Sequence, residues 1–274
     1  WYIFPIISAN ALSSSFTILV SLDCFCIFSE VSFKISANSP NTIQEIRVFF
    51  KPERRETFTY AMIEFEPGIF VVGEHTLSTT GSNYIPPGSF ISYFFELTDS
   101  GGTIIRTEEK QALYQDDRFE WKEISRGLVK VYFYGPVETR AQMILDAVHA
   151  TIKRMEPVVG LTLQQPISVV AYNNYRHMAS ALPFRSQTTR EELQTQGMAF
   201  VDHRVLLVLA FDPSVRGLTS HEFSHQLIAD ATENGYQAVP AWQVTGPNYP
   251  SPAAHDCHAT QRERRRFSAL PLVG

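Results

Sequence analysis

The sequence predicts an α+β chain: an N-terminal antiparallel β-sandwich, then an α/β domain that carries an H-E-x-x-H helix. Three observations lead there. Residues 31–107 alternate apolar and polar side chains in short runs separated by turn-forming residues. From 129 onward, apolar strands alternate with a helical apolar pattern. His221, Glu222 and His225 then stand at helical spacing just after the most apolar strand.

The chain has 274 residues, a length that suits about two domains. Hydrophobic residues make up 44%, enough for packed cores. Lys and Arg number 23 against 28 Asp and Glu. That mildly acidic balance lacks the cationic excess of a general nucleic-acid binder, so no nucleic-acid partner is expected. Three cysteines exclude a disulfide-dense scaffold. No Gly-rich phosphate fingerprint is present, which argues against nucleotide chemistry.

In chain order, residues 1–29 read as an apolar leader or flanking segment. They contain no Lys or Arg, and Pro5, Asn10 and Asp23 dilute their hydrophobicity. Membrane association through this segment is one expectation. Residues 30–108 are expected to form an Ig-like sandwich. Val31, Phe33 and Ile35 alternate with Ser32, Lys34 and Ser36; Ile46, Val48 and Phe50 alternate with Glu45, Arg47 and Phe49. Further strands are expected at 57–65 and 90–97. Asn38-Ser39-Pro40, Pro67-Gly68 and Pro86-Pro87-Gly88 read as turns, and Asp99–Gly102 as a hairpin turn.

Residues 108–122 read as a polar connector into a second domain over 109–242. There, 129–135, 167–172 and 204–210 read as strands. Val137, Ala141, Ile144, Val148, Ile152 and Met155 mark one face of a helix opened by Pro136 and closed by Pro157. His149 on that helix reads as a surface or satisfied histidine. A short helix is expected in 173–182. Residues 243–274, rich in Pro, Ala and Arg, read as a disordered tail.

The chemistry lies in H-E-x-x-H. Four residues turn a helix by about 400°, so His221 and His225 share a face one turn apart. Two ring nitrogens so placed can reach one Zn²⁺ at about 2.0–2.1 Å. Glu222 sits about 100° round from His221, where it suits a general base better than a ligand. Thr219 or Ser220 is expected to cap the helix start. The alternative is an ordinary helix with two solvated histidines.

The run HEFSHQLIADATENGYQAVPAW at 221–242 resembles the zinc helix and following segment of a gluzincin metallopeptidase, specifically the peptidase MA-like family. ELTDSGGTIIRT and DDRFEW resemble the sandwich domain that often precedes it in predicted exported bacterial proteins. The resemblance covers roughly 31–242. It implies a zincin-like second domain, with Zn²⁺ held by His221 and His225 and Glu222 as catalytic base. It also implies a peptide or protein substrate and an extracytoplasmic or membrane-associated location. The 204–210 strand would be an edge for pairing with an extended peptide.

The chain departs from the family after Trp242. There the family continues L-N-E-G-L-A, whose Glu is the third zinc ligand. This chain has Gln243-Val244-Thr245-Gly246, with Thr245 in the ligand's place. A neutral hydroxyl is a poor zinc ligand beside a carboxylate. The departure implies an incomplete peptidase domain whose C-terminal part is missing or altered. Asp230 is turned away on the helix, and Glu233 lies near its end. His255, Asp256, Cys257 and His258 have suitable chemistry. Arg185, Arg190 and His203 are candidates to line a substrate pocket, or plain surface residues. Two readings stay open. One is a zinc-dependent peptidase, active or inactivated by Thr245. The other is a non-catalytic extracytoplasmic binding protein with a decayed metal site.

Overall fold

The computed structural model describes residues 17–19, 29–52, 55–160, 163–183 and 196–232. Expectations for most of 1–29, and for 243–274, lie outside the described residues.

The first sheet is organised by one strand. Its members are β1 (Thr17–Leu19), β2 (Glu30–Pro52), β3 (Thr59–Met62), β4 (Gly68–Ser78), β5 (Phe90–Asp99), β6 (Ile104–Arg106) and β7 (Lys110–Leu113). The first half of β2 pairs with β4 and, over Ser36–Asn38, with β1. Its second half pairs with β5 and β3. Alternate β2 residues are buried, among them Val31, Phe33, Ile35, Ile46 and Val48. Phe33 and Phe50 stack with ring centroids 5.3 Å apart. A straight strand would separate them by about 55 Å, so β2 bends back on itself and its two halves enclose a common core.

The bend replaces an expected turn. Asn38-Ser39-Pro40 lies inside β2, at a register shift between Asn38 and Ile43. Exposed Pro40 needs no ladder donor there, and Asn41 Nδ2 donates to Asp99 Oδ2 at 2.9 Å, tying the bend to the end of β5. Strands β4 and β7 were not expected, and β3 is shorter than 57–65. The hairpin at Asp99–Gly102 matches expectation: Gly102 N–H donates to Asp99 O at 3.0 Å, and β5 pairs with β6.

The second sheet contains β8 (Trp121–Arg126), β9 (Val129–Tyr134), β10 (Ile167–Tyr172), β11 (Gly197–Phe200) and β12 (Val205–Leu209), in the order β11-β12-β10-β9-β8. The three central strands are parallel, and β8 and β11 run antiparallel to their neighbours. Helices α1 (Glu138–Val159) and α3 (Val215–Ala231) cover one face over Val131, Phe133, Val169, Ala171, Leu206 and Val208. Helix α1 runs past Pro157 and ends where Gly160 takes the left-handed conformation at φ 68°. His149 on α1 is satisfied, its Nε2 lying 3.2 Å from Arg126 O. The other face packs on α2 (Tyr175–Ser180), on Phe119 of the connector and on Leu113. Every residue of β10 is buried, as a strand covered on both faces requires.

This arrangement corrects the expected fold class. The described residues are mostly β, with 44% in strands and 27% in helices, and they contain only three helices. Among the described residues there are two sheets in a β-sandwich-like fold, and no zincin-like α/β domain is evident. The physical reason lies in the second sheet. Helices layer one of its faces, but its other face is covered largely by loop and strand residues and by the first unit. The first unit, in turn, is folded from one continuous sheet.

The two units meet at the Pro86-Pro87-Gly88 turn. Gly88, at φ 96°, lies against Val170, Ser168 and Val205. Nearby, Tyr84 OH donates to Ala181 O at 2.7 Å.

Candidate functional site

Helix α3 is anchored by Phe223 and Leu227, both fully buried against the sheet. It begins at Val215, five or six residues earlier than a cap at Thr219 or Ser220 would place it. Thr219 lies fully buried inside the helix, so the start is not capped by Thr219 or Ser220. Instead Asp212 Oδ1 accepts from Ser214 N–H at 2.7 Å.

The structure brings His221 and His225 together. Their Nε2 atoms are 3.2 Å apart and their rings stand at 89°. Two ligands at about 2.0–2.1 Å from one ion, at the tetrahedral angle, stand about 3.3–3.4 Å apart. The pair therefore fits two corners of a zinc site. Burial lowers the pKa of His221. Burial, with neighbouring His221 adding to it, pushes His225 down to about 4. Both shifts favour neutral imidazole, the form that ligates a metal.

Glu222 turns toward β11 and is almost fully buried. Desolvation pushes its carboxyl up to about 7, partly opposed by a hydrogen bond from Ala199 N–H. Sequence reasoning missed Ala199, because a backbone donor leaves no side-chain signature.

Asp230 is committed elsewhere. It accepts from Arg204 Nη1 at 2.8 and 3.0 Å and from Gln226 Nε2 at 3.0 Å. Among the described residues, no group of three or more His, Cys, Asp or Glu is placed to hold a metal ion. Thr245, Glu233 and His255–His258 lie outside the described residues, as do Arg185 and Arg190. His203 is partly buried, and no hydrogen bond reaches its buried Nδ1.

The expected peptide-pairing edge is also corrected. Strand β12 lies between β11 and β10, so among the described residues the edge belongs to β11. A separate cleft of about 380 Å³ lies between the units, lined by Thr79, Tyr84, Tyr114, Ser180 and Leu182 among others. His221, Glu222 and His225 are not among its lining residues.

No family model matches the chain, and no curated protein matches it. Among solved structures, the chain is similar to a carbohydrate-binding module family 56 β-1,3-glucan binding domain at 17% identity. The similarity covers 36% of this chain and 99% of that one, with a TM-score of 0.23. A likeness at that level carries no inference about ligand or activity.

Proposed function

We propose that the chain carries a zinc-dependent peptidase site on α3. The supporting observation is the 3.2 Å approach of His221 Nε2 and His225 Nε2 beside the buried carboxyl of Glu222. His221 and His225 would hold the ion. When bound, zinc supplies Lewis-acid polarisation of a substrate carbonyl. Glu222 takes the proton of the attacking water as its oxygen bonds to the carbonyl carbon. It returns that proton to the amine nitrogen as the C–N bond breaks. A carboxyl poised near neutral pH suits both transfers. The substrate class is a peptide or protein, and the apolar 1–29 segment supports an extracytoplasmic or membrane-associated setting. Among the described residues, no helix is long and apolar enough to cross a membrane.

The second reading is a non-catalytic extracytoplasmic binding protein with a decayed metal site. Thr245 in place of the family's Glu, with no third ligand among the described residues, favours it. Zinc titration with an unfolded-casein assay separates the two. The peptidase reading expects stoichiometric zinc, lost in His221→Ala and in His225→Ala. It expects Glu222→Gln to keep zinc and lose hydrolysis by about 100- to 10,000-fold. Stoichiometric zinc without hydrolysis by the native chain establishes the second reading, and no zinc binding removes the metal site altogether.

A further inference from the structure

Gly197 opens β11 against α3. A Cβ built there would stand 2.8 Å from Glu222 Cγ, and 2.9 and 3.1 Å from Leu218 Cδ1 and Cγ. Contacts under 3.0 Å are essentially never seen for real Cβ atoms. Gly197 is not among the residues of positive φ, so its backbone does not demand glycine. What the position demands is space. Leu218 and Glu222 are one helical turn apart on one face of α3, and Gly197 seats against both. Two residues along the same strand, Ala199 N–H donates to the Glu222 carboxylate.

We infer that Gly197 is a positioning residue for Glu222. Lacking a side chain, it lets β11 seat on α3 at the depth where Ala199 N–H reaches the carboxylate. A methyl group at 197 meets both Glu222 Cγ and Leu218 Cδ1, so both side chains move or β11 lifts from the helix. Either adjustment displaces the carboxylate or leaves it buried without its donor. The catalytic consequence rests on the peptidase reading, but the positional claim does not.

The test is a stability cycle on the zinc-free full chain: native, Gly197→Ala, Glu222→Ala and the double variant. Glu222→Ala removes the Cγ that the new methyl group would meet. Gly197→Ala alone is expected to lower Tm by about 4 °C or more, and by less than about half as much in the Glu222→Ala background. An equal loss in both backgrounds overturns the inference and assigns the contact to Leu218. No loss in either background overturns it too. If Gly197→Ala does not fold, a folded double variant supports the coupling, and a double variant that also fails overturns it. Where the native chain hydrolyses casein, Gly197→Ala is expected to lower kcat about 10-fold or more, with KM and zinc stoichiometry unchanged. A native chain without hydrolysis removes the peptidase reading and leaves the stability cycle to decide on Gly197.

Discussion

His203 and Glu222 are both held toward their neutral forms by burial, with opposite consequences. Glu222 is pushed up to about 7, where it can exchange a proton near neutrality. His203 is pushed down to about 4, chiefly by burial; Asp202 opposes the shift and Arg55 adds to it. The folded chain therefore keeps His203 neutral in a range where the unfolded chain has already protonated it. Between pH 6.5 and about 4 the unfolded state binds more protons, so stability falls as the pH drops through that window. Above 6.5 the contribution of His203 is fully present. Urea unfolding at pH 7 and pH 4.5 measures the slope. His203→Gln, which cannot titrate, is expected to flatten it by on the order of 2 kcal/mol. A slope unchanged by the substitution would place the pH sensitivity in other groups.

Helix α3 is fixed near its C-terminal end by a buried cation. Arg204 itself sits at φ 52°, a left-handed conformation that a non-glycine side chain adopts only under constraint. Its guanidinium donates to Asp230 on α3, to Pro166 O and to Gln165 O, so it ties the helix to the approach to β10. Arg204 and Asp230 keep only 3% and 10% of their side chains exposed. Arg204→Met retains the stem but leaves Asp230 buried without its cation. A loss of about 3–5 kcal/mol is expected in urea unfolding, most of it recovered in Arg204→Met with Asp230→Leu. A small loss in the single variant would show that the remaining partners of Asp230, Gln226 among them, satisfy the carboxylate. This tie was not legible in the sequence, because it joins residues 26 positions apart through a backbone conformation no pattern announces. Other elements were legible. The period-two burial of β2 and the continuous apolar run of β10 follow directly from what each strand covers. Strand β4 was hidden because its outward residues Phe70 and Val72 are apolar and 64% and 61% exposed, which erases the alternation. The turn read at Asn38–Pro40 failed because a bulge can bend a strand while its ladder continues on either side. At the candidate site, the shared face of His221 and His225 followed from helical spacing alone. The burial of Glu222 depended on β11, a strand that the sequence left unassigned.

At the scale of the whole molecule, the second sheet is dry on both faces, and part of one cover comes from the first unit. Leu113 and the Gly88 turn lie on the face opposite α1 and α3, and Tyr84 packs on Phe200 at the end of β11 with ring centroids 5.4 Å apart. Removing the first unit would expose Val170, Val205 and Leu207, which are buried in the native chain. The units are therefore expected to unfold in one cooperative transition. The sharpest handle on that coupling is Gly88. A Cβ there would stand 2.5 Å from Val170 Cγ2, and φ 96° disfavours any side chain. Gly88→Val is expected to cost about 3 kcal/mol or more through clash and backbone strain together. Its more specific effect is to separate the units. In a Trp1→Phe, Trp242→Phe background that leaves Trp121 as the one tryptophan, on the second sheet, urea unfolding followed by fluorescence and by far-UV circular dichroism should coincide while Gly88 is kept. In Gly88→Val the two curves should part. Curves that already diverge while Gly88 is kept, or that still coincide in a destabilised Gly88→Val, would show that the contact at Gly88 does not couple the units.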